Sequence, residues 1–588
     1  MLKIRYNQNL QVIELSAVDD LHLWPNIRRA FEESAQELAI TSASTLRLPV
    51  WAFLASREQF AYALRKHRIS IDLDSETENI LQEARNNESR FREAKDSSPI
   101  ATYDLEFKLA QAGFKRRLTE HQVRNILRLA ALPSGATFSV PGAGKTTEAL
   151  AFYYFKRKDD TKLLVVCPKN AFAVWEEQIA LCVQDLPKIA RLTGGERSIQ
   201  ALLEANPEVM LITYAQLPNV KGLIASYMWE YPTFMFLDES HRIKKGVAGA
   251  WGSCVLALAH LPKAKLVMSG TPLPNALDDL VPQFDFLYPE VVAEPETVSD
   301  LIKPVFVRTT KAELDLPRVN RILTPIQMLP KQRHLYELMR SEEARQLEKL
   351  TSRDRHRLRV FGRSVMRLLQ IVSNPALLAR DEIDFPDELY EVLAEGGSPK
   401  IEYACQRARE LAQRGHKVLI WSSFVENVES IVARLADLGA DYIHGGVEAG
   451  SEEEGDTRES KIKRFHDDDQ AYVLVANPAA CAESISLHTV CHHALYVDRT
   501  YNAAQYLQSE DRIHRLGLPK HVSTNVEILY CPDSIDESVH RRLIVKVERM
   551  AEVLNDPSLN IVPVTTDLDE DGIDDEDIQD YIRHLKRL

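Results

Sequence analysis

Two short stretches of the chain carry residue types that suit the chemistry of nucleotide phosphates. The first is PGAGKTT (141–147), where two glycines precede a lysine and two hydroxyl side chains. Glycines let the backbone turn so that its N–H groups face phosphate, while the lysine reaches the β- and γ-phosphates and the next hydroxyl binds Mg²⁺. The pattern predicts a phosphate-binding loop, and a surface turn is the alternative. The predicted nucleotide contacts are Gly142, Ala143, Gly144, Lys145, Thr146 and Thr147.

The second stretch, FMFLDESH (234–241), ends an apolar run with the adjacent carboxylates Asp238 and Glu239. An Asp at a strand end can hold Mg²⁺ through water, and the neighbouring Glu can orient and deprotonate an attacking water. A solvated acidic turn is the alternative for this stretch alone. Together, the two stretches predict an ATPase that uses ATP and Mg²⁺, with Thr146 and Asp238 on the metal and Lys145 and Glu239 in catalysis.

The loop departs from its usual pattern at the first position, where Ser139 replaces a glycine. We interpret the serine as a tolerated variant, because only the later glycines, Lys145 and Thr146 need to face phosphate directly.

Bulk composition excludes several classes of protein. The net charge of −14 argues against a protein that coats nucleic acid by bulk charge, although local basic patches remain compatible with it. No apolar run approaches the ~20 residues that cross a bilayer, and the N-terminus lacks the features of a secretory signal. The seven cysteines form no C-x-x-C pair, so neither a disulfide framework nor a zinc site is indicated. These features predict a cytoplasmic protein without a membrane partner.

The order of patterns along the chain predicts an α/β protein with two parallel-sheet lobes. Short apolar runs alternate with amphipathic segments in two blocks, which is typical of parallel sheets covered by helices on both faces. The predicted domains are an N-terminal α+β accessory module (1–115), a first lobe (116–286), a helical insertion (287–397), a second lobe (398–548) and an acidic C-terminal tail (549–588). A linker is predicted at 94–102 from its Ser, Pro and charge content.

Further motifs give the chain a specific resemblance. DESH (238–241) is similar to the D-E-x-H box of superfamily-two helicases, and SGTPLPNALDDLVPQFDFLYP (269–289) resembles the third motif of Swi/Snf-type double-stranded DNA translocases. Other stretches follow in the family's order, including LTEHQ (118–122), LLVVCPKNAFAVWEEQI (163–179), LITYAQL (211–217), KVLIWSSFVENVESI (417–431) and QSEDRIHRLG (508–517). The resemblance covers about 115–550 and implies two RecA-like lobes in a divergent member of bacterial character.

The resemblance also implies roles for individual residues. Gln122 reads the adenine edge, and Arg512 and Arg515 act from the second lobe as arginine fingers, which neutralise charge on the transferring phosphoryl group. Surface salt bridges are the alternative for these two arginines. The residues implied to couple phosphate state to DNA contacts are His241, Ser269, Gly270, Thr271, Gln508 and Asp511. For His241 and His514, a satisfied interior histidine is the alternative.

One motif departs from the family. AACAESISLH (479–488) stands where a glycine-rich loop is typical, with Cys481, Ala482 and Ser484 at glycine positions and Ser486 at an asparagine position. We expect the analogy to fail here first.

Candidate contacts to nucleic acid are basic or polar residues in these motifs and in the insertion. A protein that tracks a duplex makes most of its contacts to phosphates. The candidates are Lys169, Asn170, Thr213, Lys244, Lys245, Arg353, Arg355, Arg357 and Arg359. A solvated helix face paired with the acidic helix before it is an equal alternative for the arginines.

The C-terminal tail contains DLDEDGIDDED (567–577), with eight carboxylates in eleven residues. It matches the start of a calcium loop, but Ile578 stands where the loop needs a bidentate Glu, so an acidic tail is the preferred interpretation. The following IQDYIRHLKRL is predicted to dock a protein partner.

We therefore predict an ATP-dependent motor that tracks double-stranded DNA and remodels or displaces bound factors, in bacterial genome maintenance or anti-phage defence. Two alternatives stay open. One is a strand-separating helicase on DNA or RNA, with single-stranded nucleic acid as a partner. The other is an ATP-switched assembly protein whose partners bind the N-terminal module or the tail.

Overall fold

The computed structural model describes residues 1–18, 24, 40–41, 45–93, 102–348, 355–380, 384–447, 456–481, 486–519, 521–556, 559 and 575–586. These residues form two compact units. Unit 1 comprises 1–273 and 277–309, and unit 2 comprises 274–276 and 310–588. Some predictions concern residues outside this described set. They are those for the linker residues 94–101, for Arg353, for residues 482–485 of the degenerate motif and for residues 567–574 of the calcium-like loop.

Unit 1 begins with a five-stranded sheet of strand order β3-β4-β2-β1-β5. Its elements are β1 (Leu2–Asn7), β2 (Val12–Ala17), β3 (Ile40–Thr41), β4 (Thr45–Pro49), α1 (Val50–Ala55), α2 (Arg57–His67), β5 (Ile71–Leu73) and α3 (Ser75–Glu93). Side chains alternate between buried and half-buried along β1 and β4, as expected for a sheet with one face on a core. The module packs on the rest of unit 1, because Phe91 of α3 lies 4.8 Å from Tyr288 between ring centroids.

The larger sheet of unit 1 has seven strands in the order β12-β6-β11-β10-β7-β9-β8, and every pair is parallel. The strands are β6 (Gly135–Thr137), β7 (Lys162–Val166), β8 (Ile189–Arg191), β9 (Val209–Ile212), β10 (Thr233–Asp238), β11 (Ala264–Met268) and β12 (Phe306–Val307). Its helices are α4 (Thr102–Gln111), α5 (Glu120–Ala130), α6 (Lys145–Lys156), α7 (Ala171–Cys182), α8 (Glu196–Glu204), α9 (Lys221–Glu230), α10 (Ala250–Leu258), α11 (Val281–Leu287) and α12 (Pro295–Ile302).

This strand order positions the predicted motifs. The strands β7, β9 and β11 are buried along their whole length, which explains their continuous apolar sequences. Because all strands are parallel, the segments that follow β6, β7, β9, β10 and β11 emerge at one edge of the sheet. That carboxyl edge is where open α/β sheets bind their ligands.

Unit 2 has a six-stranded sheet in the order β13-β18-β17-β14-β16-β15, again with only parallel pairs. The strands are β13 (Val319–Pro325), β14 (Lys417–Trp421), β15 (Asp441–Ile443), β16 (Val473–Ala476), β17 (Cys491–Tyr496) and β18 (Thr524–Tyr530). Its helices are α13 (Pro330–Glu348), α14 (Arg355–Ser373), α15 (Pro386–Glu395), α16 (Pro399–Gln413), α17 (Val425–Arg434), α18 (Arg458–Asp467), α19 (Pro478–Cys481), α20 (Ala503–Glu510), α21 (Ile535–Val553) and α22 (Asp575–Lys586). The α/β class with two parallel-sheet lobes is confirmed.

The interval between the two predicted lobes contains two strands that the sequence did not predict. The interval 287–397, predicted to be helical, also contains β12, which pairs with β6 in unit 1, and β13, which pairs with β18 in unit 2. Both strands lie at sheet edges. β12 has only two residues, too few to give a periodic pattern, and β13 carries polar side chains that weaken the apolar signal.

The C-terminal helix α22 packs on its own chain, whereas the sequence predicted a partner-docking helix. Tyr581 is fully buried and hydrogen bonds Ser364 of α14 at 2.6 Å, and His584 meets Tyr336 of α13 at 2.6 Å. Its apolar stripe is therefore used within unit 2. No helix among the described residues is long and apolar enough to span a membrane.

Candidate nucleotide-binding site

The predicted phosphate-binding loop connects β6 to α6 in the conformation that its glycines allow. Gly142 has a φ of 88° and Gly144 a φ of 84°, values in the left-handed region that other residues rarely adopt. Helix α6 begins at Lys145 directly after Gly144, so its N-terminus, which favours anions, faces the loop.

Gln122 lies against this loop. Thr119 and Gln122 form a capping box at the start of α5, and Gln122 Nε2 donates to the Ala143 carbonyl at 3.4 Å. A Cβ placed on Gly144 would come within 2.3 Å of Gln122 Nε2. Gly144 therefore allows the close approach of α5 as well as the turn.

Ser139 has a structural role that its sequence position did not reveal. Its side chain is fully buried, its hydroxyl oxygen accepts from the Thr309 backbone N–H at 3.0 Å, and the hydroxyl lies 3.2 Å from the Thr137 hydroxyl. Its carbonyl accepts from Lys145 Nζ at 3.0 Å. The hydroxyl thus joins the loop to the segment that follows β12, a bond that glycine cannot make.

A buried carboxyl lies beneath the loop. Glu148 is fully buried, and its two oxygens accept from Asn125 Nδ2 and the Thr137 hydroxyl, each at 2.8 Å. Burial raises the pKa of Glu148 to about 7, although these hydrogen bonds oppose the shift. Asn125 also donates to the Thr309 hydroxyl at 3.0 Å, so one polar cluster connects α5, β6, α6 and the segment after β12.

Asp238 and Glu239 lie at the carboxyl end of β10, as predicted. The Asp238 carboxylate accepts from Trp175 Nε1 at 3.0 Å and from the Glu239 N–H at 3.0 Å, and its carbonyl accepts from the Tyr214 hydroxyl at 2.8 Å. Glu239 has a φ of 52°, a strained backbone for a residue with a side chain. Trp175 and Tyr214 were not recognisable from the sequence, because both act through contacts with a residue distant in sequence.

The third motif joins the acidic pair and the loop. His241 Nδ1 lies 3.1 Å from the Ser269 hydroxyl and 3.4 Å from Glu239 Oε2, while the Thr271 N–H donates to Ser269 Oγ at 3.1 Å. Burial lowers the pKa of His241 to about 3, helped by nearby cationic residues, so its ring is neutral at neutral pH.

Gly270 packs on the loop itself, since an added Cβ would lie 2.9 Å from Pro141 Cδ and 3.7 Å from Lys145 Nζ. The structure therefore gathers the loop, Asp238, Glu239, His241 and the 269–271 segment at one sheet edge.

These residues fit ATP and Mg²⁺. The loop supplies backbone N–H groups, a helix N-terminus and the Lys145 ammonium for phosphate oxygens. Thr146 is half-buried at the start of α6, and the Thr146 hydroxyl and Asp238 carboxylate are the oxygen ligands that Mg²⁺ prefers. The adjacent Thr147 is buried, with its hydroxyl 3.4 Å from Gln178.

The predicted motif of unit 2 lies at the end of α20, where Gln508, Asp511, Arg512 and His514 are all buried. Arg512 Nε donates to the Gln508 carbonyl at 2.8 Å. His514 Nε2 donates to the Pro317 carbonyl at 2.7 Å, which matches the alternative of a satisfied interior histidine. Arg515 is half-buried three residues after Arg512.

The degenerate motif borders this region through its described residues. The Leu487 N–H donates to the Arg512 carbonyl at 2.8 Å, and the Ser486 carbonyl accepts from His466 Nε2 at 2.8 Å. An added Cβ at Gly517 would lie 2.9 Å from His488 Nε2.

The candidate nucleic-acid contacts of unit 1 emerge at the same sheet edge. Lys169 and Asn170 are exposed after β7, Thr213 follows β9, and Lys244 and Lys245 follow the turn after β10. Arg355, Arg357 and Arg359 lie in the first two turns of α14.

These features define the class: an α/β chain with a phosphate-binding loop and a strand-end acidic pair. Residues 133–300 match the family described as SNF2-related domain, and residues 399–517 match the helicase conserved C-terminal domain. The chain therefore carries an SNF2-related domain and a helicase conserved C-terminal domain, and the resemblance predicted from the motifs is confirmed. The predicted class of helicase-like ATPase and the use of ATP agree with both matches.

Individual relatives are distant. The chromatin remodeling factor mit1 of Schizosaccharomyces pombe is 24% identical over 484 residues, covering 76% of this chain and 32% of that protein. The ISWI chromatin-remodeling complex ATPase ISW1 of Saccharomyces cerevisiae is 24% identical over 486 residues, covering 76% and 41%. The chain thus matches between about a third and two fifths of these relatives' length. The solved Sulfolobus solfataricus SWI2/SNF2 ATPase core in complex with dsDNA has 20% identity and a TM-score of 0.32, covering 76% of this chain and 95% of that chain.

Proposed function

We propose that this chain is an ATP-dependent translocase that hydrolyses ATP while tracking double-stranded DNA. The observation that carries the proposal is the assembly at one sheet edge, where Gly270 touches the loop and His241 joins Ser269 to Glu239. Asp238 also bonds Trp175 and Tyr214, which belong to the segments that carry Lys169 and Thr213. The names of the curated relatives, as chromatin-remodelling proteins, support DNA as the substrate.

In the proposed reaction, Thr146 and Asp238 would hold Mg²⁺, which would neutralise charge on the phosphates when bound. Lys145 binds the phosphate oxygens, and Glu239 orients a water and accepts its proton as general base. Arg512 and Arg515 stabilise the negative charge that develops on the transferring phosphoryl group. The work done on DNA is the displacement or remodelling of bound factors.

The first experiment measures steady-state ATP hydrolysis with duplex DNA, single-stranded DNA, RNA or no nucleic acid. We expect stimulation by duplex DNA above the other three. Lys145→Ala should lose nucleotide binding, whereas Glu239→Gln should bind ATP but hydrolyse it at least about 100-fold more slowly, because the general base is removed.

Equal stimulation by single strands would favour a strand-separating helicase, and no stimulation by any nucleic acid would favour an ATP-switched assembly protein. A triplex-displacement assay on the duplex-stimulated protein then tests movement. An active ATPase that never displaces the third strand would contradict translocation.

A further inference from the structure

β12 and the residues on either side of it (305–309) are bonded to β6 and to the start of the nucleotide loop. The Ala136, Phe138 and Val140 N–H groups donate to the carbonyls of Val305, Val307 and Thr309 at 3.0, 2.9 and 3.0 Å. The parallel pairing of β6 and β12 therefore continues beyond the strands into the loop itself.

Thr309 is the end point of this pairing. Its N–H donates to the Ser139 hydroxyl at 3.0 Å, and its own hydroxyl accepts from Asn125 at 3.0 Å. Ser139, Asn125 and Thr309 are all at most 1% exposed. Since buried hydrogen bonds of this kind are costly to leave unmade, Thr309 is held to the geometry of the loop.

Two residues further on, Lys311 belongs to unit 2 and contacts its motif. Lys311 Nζ lies 2.5 Å from Asp511 Oδ1 and 3.5 Å from Glu510 Oε1. The side chains of Asp511 and Glu510 are 3% and 0% exposed, so the pair is shielded from solvent. Asp511 directly precedes Arg512, the proposed arginine finger.

The covalent link between these two anchor points is short. Thr309 and Lys311 are separated by two peptide units, which span at most about 7 Å at full extension. A displacement of Thr309 is therefore transmitted to Lys311, because only one residue separates them.

We propose that residues 309–311 form a coupling strap, in which Ser139 and Lys311 are positioning residues that relate the state of the nucleotide loop to Arg512. The Lys145 ammonium donates to the Ser139 carbonyl at 3.0 Å. A bound phosphate oxygen competes for the same ammonium, so nucleotide binding would change the contact between Lys145 and Ser139. The inference rests on the proposed function, since it assumes ATP hydrolysis at this loop. It adds the residues that link the loop to the motif that carries Arg512.

The test replaces Lys311 by Met, which keeps the length of the side chain and removes its charge. We expect kcat for duplex-stimulated hydrolysis to fall at least about tenfold, while KM and the affinity for ADP stay within about twofold, because Lys311 pairs with Asp511 and Glu510 and not with the residues of the nucleotide loop. Lys311→Arg keeps the charge and should restore most of kcat. Lys331→Met is the matched control, since Lys331 is exposed in the same unit and pairs with Glu391 at 3.2 Å.

Ser139→Ala severs the other end of the strap and serves where Lys311→Met folds poorly. It should lower kcat in the same way. The kcat of the double variant Ser139→Ala/Lys311→Met should stay within about twofold of the kcat of the slower single variant, because both changes break the same link. Multiplicative effects in the double variant, or a folded Lys311→Met protein with wild-type kcat, would overturn the inference. A wild-type chain that hydrolyses no ATP would instead refute the proposed function, so the two failures are distinguishable.

Discussion

At the scale of single residues, the buried carboxylate of Glu510 in unit 2 is expected to contribute to the stability of the fold. It is fully buried beside Arg321, at 2.6 Å, and Lys311. Burial raises its pKa, but these two cations outweigh burial and hold the pKa at about 2, below its ordinary value of 4.5. Removing one partner of a buried ion pair leaves the other uncompensated, so Glu510→Gln should lower the free energy of unfolding by about 3–5 kcal/mol at neutral pH.

The pH dependence of this loss follows from the lowered pKa. A carboxyl whose folded-state pKa is depressed contributes stability above its unfolded pKa and loses that contribution as pH falls toward the folded value. The gap between wild type and Glu510→Gln should therefore shrink from pH 4.5 toward pH 2. Denaturant titrations at several pH values measure it, with Glu391→Gln as the exposed control. A gap that is constant over this window would argue against the ionised pair.

Gly144 gives a second test at the residue scale. Gly144→Ala places a Cβ against the Gln122 side-chain amide and requires a φ of 84°, so we expect nucleotide affinity to fall at least about tenfold, because the loop backbone is strained and the Gln122 amide is displaced. Gly113→Ala is the matched control, because Gly113 has a φ of 79° with nothing within 4 Å of an added Cβ. Equilibrium binding of a fluorescent ADP analogue checks both variants. Equal losses in the two would mean that backbone strain alone is responsible.

At the scale of secondary-structure elements, α22 is expected to stabilise the helical part of unit 2. Tyr581→Ala removes a fully buried ring and its bond to Ser364, and should lower the free energy of unfolding by about 3–5 kcal/mol. Tyr390→Ala on α15 is the control, since Tyr390 is 75% exposed. Thermal and denaturant unfolding measure the difference. If both variants unfold like wild type, α22 does not dock in solution.

The sequence could predict the strands that are buried on both faces of a sheet. β7, β10 and β16 are covered on both faces, so their residues form continuous apolar runs. β13 could not be recognised in this way, because as an edge strand it carries Asn320 and Arg321 among half-buried positions. Its pairing with β18 depends on a partner 200 residues away, about which a local pattern contains no information.

At the scale of the whole molecule, the same distinction separates the predicted part of the site from the rest. Lys145, Asp238 and Glu239 were predictable because phosphate chemistry requires these residue types next to a glycine turn or a strand end. The roles of Ser139 and Trp175 and the pairing of Lys311 with Asp511 were not, because each arises where segments distant in sequence meet. The short motifs therefore indicate the chemistry, while the fold determines how the parts are held.

The last prediction concerns the whole molecule on DNA, where a net charge of −14 requires that binding be local. If Arg355, Arg357 and Arg359 contact phosphates, replacing all three by Gln should reduce the slope of log K against log salt by about 2–3, since each neutralised phosphate contributes about 0.9. The control replaces Arg85, Arg90 and Arg197, which are exposed in unit 1, and changes the net charge equally. Fluorescence anisotropy with a labelled duplex at several salt concentrations gives both slopes. An unchanged slope in the α14 variant would mean that these arginines form a solvated face, whereas equal reductions in both variants would assign the effect to net charge.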